Sequence, residues 1–292
     1  IGHVFSTGGG GVAYLGCICT ASSKAGGVTG SSDPVGDPFD IDYVAHEMGH
    51  QFGGNHTFSS NQGSCSGNGS TISAVEPGSG STIMAYAGIC SPTNVQSNSD
   101  AYFSFKSLDQ IMAEVLTNDC STAVPTAMTN TAPTVTVPST TYSIPISTPF
   151  VLTANGSDVN GDAITYCWEQ TNAGSVSYAT APTSGQTAGP VFRSYSPVTV
   201  PYRHFPRQAD ILAGTNGNTW EVLPSVARTM GFRVVVRDQP IAPAGQLAFG
   251  CFSETNVSVT TVAAAGPFVV TSPSAGVNWT PGTNQTITWN VA

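Results

Sequence analysis

Apolar positions recur with two different periods along the chain, and the change of period divides it. In "YFSFKSLDQIMAEVLTNDC", Leu108, Ile111, Met112, Val115 and Leu116 fall three or four apart, the spacing of one helical face, and the run ends at Asn118. From about residue 133 the pattern alternates instead, in "TVTVPSTTYSIPI", "FVLTANGS", "AITYCWEQ", "GFRVVVRDQ" and "NVSVTTV". Pro, Gly and Asn punctuate these runs at the intervals of a β-sandwich. Residues 174–232 show little pattern and are expected to hold a long insertion or loops. "STAVPTAMTNTAP" reads as a linker between the two regimes.

A second helix is predicted upstream, in "VGDPFDIDYVAHEMGH". Asp37 can cap it, Pro38 suits its first position, Asp40 places negative charge in its first turn, and Gly53 with Gly54 ends it. Its last turns carry the densest chemistry of the chain. "HEMGHQFGGNH" places His46 and His50 four apart, hence on one face, and Gly53 lets the chain bend so that His56 returns to them. Three neutral imidazoles suit Zn2+, with a fourth position left for water. Glu47 points to another side of the helix, where it can take a proton from that water. His3 belongs to no such pattern and is expected to be structural.

Composition narrows the setting. Charged residues make up 9% of the chain, with 8 Lys plus Arg against 17 Asp plus Glu and a net charge of −9, so a basic nucleic-acid-binding face is not expected. No apolar run approaches the roughly 18 residues of a membrane span. Seven cysteines suit disulfides in an oxidising, secreted or extracellular compartment. Cys17 or Cys19 is expected to reach Cys120, and Cys167 and Cys251 to join strands of the β-region. Three cysteines are then left, Cys65 and Cys90 among them. "PYRHFPRQ" gathers basic and aromatic residues but is expected to be solvated surface.

HExxHxxGxxH followed by "STIMAYAG" resembles the metzincin clan of zinc endopeptidases, of the reprolysin-like or pappalysin-like type found among secreted bacterial proteins. The resemblance implies that Met84 forms the methionine turn beneath the metal. It implies that Tyr86 binds the metal or steadies the transition state. "IGHVFSTGGGGVAYLG" resembles the late sheet strand along the substrate cleft, with Gly8, Gly9, Gly10 and Gly11 admitting a substrate backbone. A Cys65–Cys90 bridge would close the loop under the site, as similar pairs do in pappalysin-like enzymes. "SDVNGDAITY" resembles the Asp-rich turn of immunoglobulin- or cadherin-like modules, where Asp158, Asn160 and Asp162 offer oxygens to Ca2+.

The expected fold class is therefore α+β: the C-terminal part of a metzincin catalytic domain, then an all-β sandwich. The expected domains are 1–124 for the partial catalytic domain, 125–132 for the linker, 133–265 for the immunoglobulin- or cadherin-like sandwich and 266–292 for the start of a further β-module. With so little chain before Asp37, the sequence reads as a piece of a longer secreted precursor. The expected activity is hydrolysis of protein or peptide substrates. The alternative is a matrix- or surface-binding adhesive protein whose zinc site is structural or degenerate.

Overall fold

The computed structural model describes residues 1–122, 127–215 and 217–291. The boundary expected at 124/125 lies outside the described residues. The chain opens with β1 (Val4–Ser6), β2 (Gly10–Ala13) and β3 (Gly27–Gly30). These form a sheet of order β1-β3-β2, with β1 parallel and β2 antiparallel to β3, so β2 is an edge strand. His3 is structural: its ring nitrogens meet Gln51 Oε1 at 2.8 Å and Thr29 Oγ1 at 2.7 Å.

The upstream helix forms over the expected residues but in three runs: α1 (Asp37–Phe39), a π-helical run (Asp40–Ala45) and α2 (His46–Gln51). Gly36 takes the cap position expected of Asp37. Gly53 ends the helix at φ 89°, in the left-handed region that a residue without Cβ enters freely. Helix α3 (Phe105–Thr117) is capped by Ser104, whose side chain accepts from Ser107 N, and its last cap residue is Asn118.

The β-region has two layers. One is a four-stranded sheet of order β5-β13-β12-β8, built from β5 (Thr141–Pro145), β8 (Ala163–Gln170), β12 (Arg228–Gln239) and β13 (Phe252–Val262). Facing it are the pairs β4 (Thr134–Thr136) with β7 (Asn155–Ser157) and β6 (Phe150–Thr153) with β9 (Tyr202–Phe205). Trp168, Phe192, Phe205, Phe232, Val234 and Val236 fill the space between. The weakly patterned stretch contains β9, the short helix α4 (Gln208–Leu212), β10 (Gly217–Asn218) and β11 (Glu221–Val222). Within it Arg203 pairs with the buried Glu221 at 2.8 Å, so "PYRHFPRQ" is partly internal rather than a solvated patch. The exposed hairpin β14 (Phe268–Ser272) and β15 (Thr288–Val291) follows.

The alternation of β12 and β8 sends their other side chains toward the helical segment. Val235 packs with Val75 and Phe105, and Glu169 Oε2 accepts from Phe105 N at 2.8 Å at the start of α3. Arg233 meets Asp109 at 2.7 Å, and Arg237 donates to Phe103 O at 2.8 Å. The weakly patterned stretch joins in: Gly174 N donates to Ala74 O, Tyr178 N to Ser59 O and Asn61 N to Tyr178 O. Two compositionally distinct segments thus share one polar and apolar seam.

Disulfides link Cys19 to Cys120 and Cys65 to Cys90. The first closes a separation of 101 residues, which removes about 4–5 kcal/mol of unfolded-chain entropy in the loop-closure picture. Cys167 and Cys251 do not pair, contrary to the sequence expectation, and with Cys17 they make three free thiols. Cys167 lies on β8 and Cys251 just before β13, and β12 runs between those strands. Two inter-strand steps of about 4.8 Å exceed the Cα separation that a disulfide spans.

Candidate metal centre

His46, His50 and His56 bring one ring nitrogen each within 4.8 Å of one another. His50 Nε2 lies 3.0 Å and His46 Nε2 3.2 Å from His56 Nε2. The opposite nitrogens explain this aim. His46 Nδ1 faces Ile83 O at 2.7 Å, His50 Nδ1 faces Gly54 O at 2.7 Å, and His56 Nδ1 faces Asn68 O at 2.5 Å. A carbonyl oxygen only accepts, so each Nδ1 carries the proton and each Nε2 of a neutral ring presents a lone pair.

Burial keeps the rings neutral. Desolvation, then the charges of His50 and His56, hold His46 well below the usual imidazole range. Desolvation lowers His50, and desolvation followed by His50 brings His56 down to about 4. Three lone pairs gathered within 4.8 Å of one another repel unless a cation sits among them. The donor set therefore fits one borderline divalent cation and is consistent with zinc.

Glu47 follows His46 yet does not join this cluster. It is 7% exposed, and its Oε2 has no hydrogen-bond partner. Desolvation pushes its carboxyl up to about 7. Edge strand β2 passes directly beside it: a Cβ on Gly11 would lie 2.5 Å from Glu47 Oε1. The backbone can come that close only because residue 11 has no side chain.

Met84 is fully buried below the helix, and a Cβ on Gly49 would lie 2.4 Å from its sulfur. Tyr86 leans on the ligands, with ring centroids 4.5 Å from His56 and 5.5 Å from His46. Desolvation and then Glu47 raise its phenol above the ordinary value. Two open cavities, of about 540 and 400 Å3, meet along Gly11, Glu47, Asn68 and Tyr86. Gly10 and Gly11 line this cleft, whereas Gly8 and Gly9 stay in the turn between β1 and β2.

The β-region brings together a different acidic set from the one read in the sequence. Asp158 and Asp162 are joined by Asp238, while Asn160 turns its Oδ1 to accept from Thr131 N at 3.0 Å. The acidic set is therefore Asp158, Asp162 and Asp238. Asp238 enters it from β12, where no local motif marks it.

Other residues that shape the histidine site also escape sequence reading. Ile83, Gly54 and Asn68 orient the imidazoles through backbone carbonyls, which carry no side-chain signature. Glu76, 1% exposed, braces the turn before Met84: it accepts from Thr57 Oγ1 at 2.6 Å, Ser81 N at 2.8 Å and Thr82 N at 3.2 Å.

Among the described residues no helix is long and apolar enough to cross a membrane. The chain gives no match among curated proteins or solved structures. Residues 3–114 match the family model described as metallo-peptidase family M12B, reprolysin-like, and the histidine triad that could hold a metal ion lies within the matched segment.

Proposed function

We propose that the protein is a secreted zinc-dependent endopeptidase with Glu47 as its general base. The observation that carries this reading is the pairing of three Nδ1-anchored imidazoles with a buried, unpartnered carboxylate at the rim of an open cleft. His46, His50 and His56 would hold the metal. When bound there, zinc supplies Lewis acidity, acidifying water and polarising a carbonyl.

The chain's own groups account for the remainder. Edge strand β2 offers unpaired backbone groups on which an extended peptide can lie, and Gly11 admits it beside Glu47. Glu47, desolvated and without a donor of its own, accepts the proton of the attacking water and returns it to the departing amine. Tyr86, whose ring packs against His46 and His56, would donate its hydroxyl to the substrate oxygen that gains negative charge. Met84 shapes the apolar floor. Two disulfides and a scarcity of charge support an extracellular setting.

Cleavage of casein by the zinc-loaded chain, beside its Glu47→Ala counterpart with equal zinc content, tests the proposal. The expected loss is about 10²- to 10⁴-fold in kcat. A Glu47→Ala protein cleaving at the wild-type rate would refute the role of Glu47. The matrix-binding alternative gains no support from the described residues.

A further inference from the structure

The larger of the two cavities carries a charge that the proposed chemistry does not use. Its walls include Pro38, Tyr43, Ala87 and Ile89, with neutral polar groups from Ser97 to Ser99, and it reaches Glu47 and Tyr86. Among its lining residues only Asp42 and Glu47 are acidic, and none is Lys or Arg. Asp42 sits in the π-helical run, one turn before His46. Its Oδ1 accepts from Ser99 N at 2.6 Å, which fixes the carboxyl between the helix and the segment after Met84. None of the ion pairs among the described residues involves it. A half-buried carboxylate facing a cavity that no Lys or Arg lines is incompletely solvated, and a cationic side chain entering it would relieve that deficit.

We propose that Asp42 is a specificity-determining residue that selects a lysine or arginine side chain next to the scissile bond. This deepens the endopeptidase reading and rests on it for the position of the bond. A cavity of about 540 Å3 takes a long side chain. Tyr43, Ala87 and Ile89 offer apolar surface to its methylene stem, and Asp42 binds its charged end. Norleucine would fill the same space but leave the carboxylate unpaired, so discrimination comes from the head group.

The test uses peptides acetylated at the amino end and amidated at the other, so that a side chain is the sole cation. They differ at one position beside the cleaved bond: Lys, Arg, norleucine or Glu. Cleavage by the zinc-loaded chain gives kcat/KM, and binding of the same peptides to its Glu47→Gln form gives affinity without turnover. Lys and Arg should exceed norleucine by about 10- to 100-fold in both readouts, and Glu should be the poorest. Asp42→Asn keeps an oxygen for Ser99 N and removes the charge, so it should bring the ratio to within about threefold. Asp42→Glu should retain the preference if Asp42→Asn does not fold. Equal handling of Lys and norleucine by the wild-type chain, or an undiminished ratio in folded Asp42→Asn, overturns the proposal. Absence of all cleavage counts against the endopeptidase reading, while the binding arm still decides the role of Asp42.

Discussion

Two buried glutamates lie on either side of the same histidine site and are furnished in opposite ways. Glu76, beneath the cleft, receives two threonine hydroxyls and the backbone N–H groups of Ser81 and Thr82, while its own N–H donates to Thr57 O. Glu47, at the rim, has an oxygen with no donor at all. A saturated carboxylate holds segments in place, here the stretch after His56 and the turn before Met84. An unsaturated one keeps its lone pairs for a reactant, and folding gives up stability to hold it there.

The contrast breaks most clearly at Glu76. Glu76→Ala leaves two backbone N–H groups and two hydroxyls without an acceptor, and the expected destabilisation is about 3–5 kcal/mol. Glu47→Ala removes a desolvated carboxyl with an unpaired oxygen and should cost little or add stability. Urea unfolding of both variants measures the difference. Similar losses at the two positions would mean that furnishing does not separate scaffold from machinery here.

That contrast was half legible in the sequence. His46, Glu47, His50 and His56 could be read because a helical repeat and one glycine bend fix their relative positions locally. Glu76 could not, since its donors come from residues 57, 81 and 82, which only the folded chain gathers. Asp42 was hidden for the same reason, because Ser99 and the cavity wall that it shares with Ala87 and Ile89 come to it only on folding. The β-strands showed in their alternation, yet Cys167 and Cys251 were wrongly joined because strand order, not cysteine count, decides who meets.

A third buried glutamate sharpens the comparison with a pH signal. Glu169 holds the start of α3 and accepts from Ser194 Oγ, so it has donors, but desolvation still pushes its carboxyl up to about 7 from an ordinary value near 4.5. The folded chain then holds this proton more tightly than the unfolded chain. Its contribution to stability is greatest below pH 4.5 and is lost as pH rises from there through about 7. The most that this linkage can remove is about 3 kcal/mol. Urea midpoints of the zinc-bound chain and of Glu169→Gln across this range measure it. The variant should flatten the fall; parallel curves would mean that the seam does not titrate through Glu169.

Tyr86 offers the smallest and most selective test, because it touches the ligands through its ring and the substrate, by proposal, only through its hydroxyl. Tyr86→Phe preserves the contacts with His46, His56 and Phe58. Zinc content and unfolding midpoint should therefore stay at wild-type values. One lost hydrogen bond to developing charge amounts to about 1.5 kcal/mol, so kcat should fall about tenfold with KM little changed. A drop in zinc content would instead make the phenol a metal ligand or a brace for the imidazoles. An unchanged kcat would reduce Tyr86 to packing, leaving Glu47 as the one unsatisfied group of the cleft committed to the reaction.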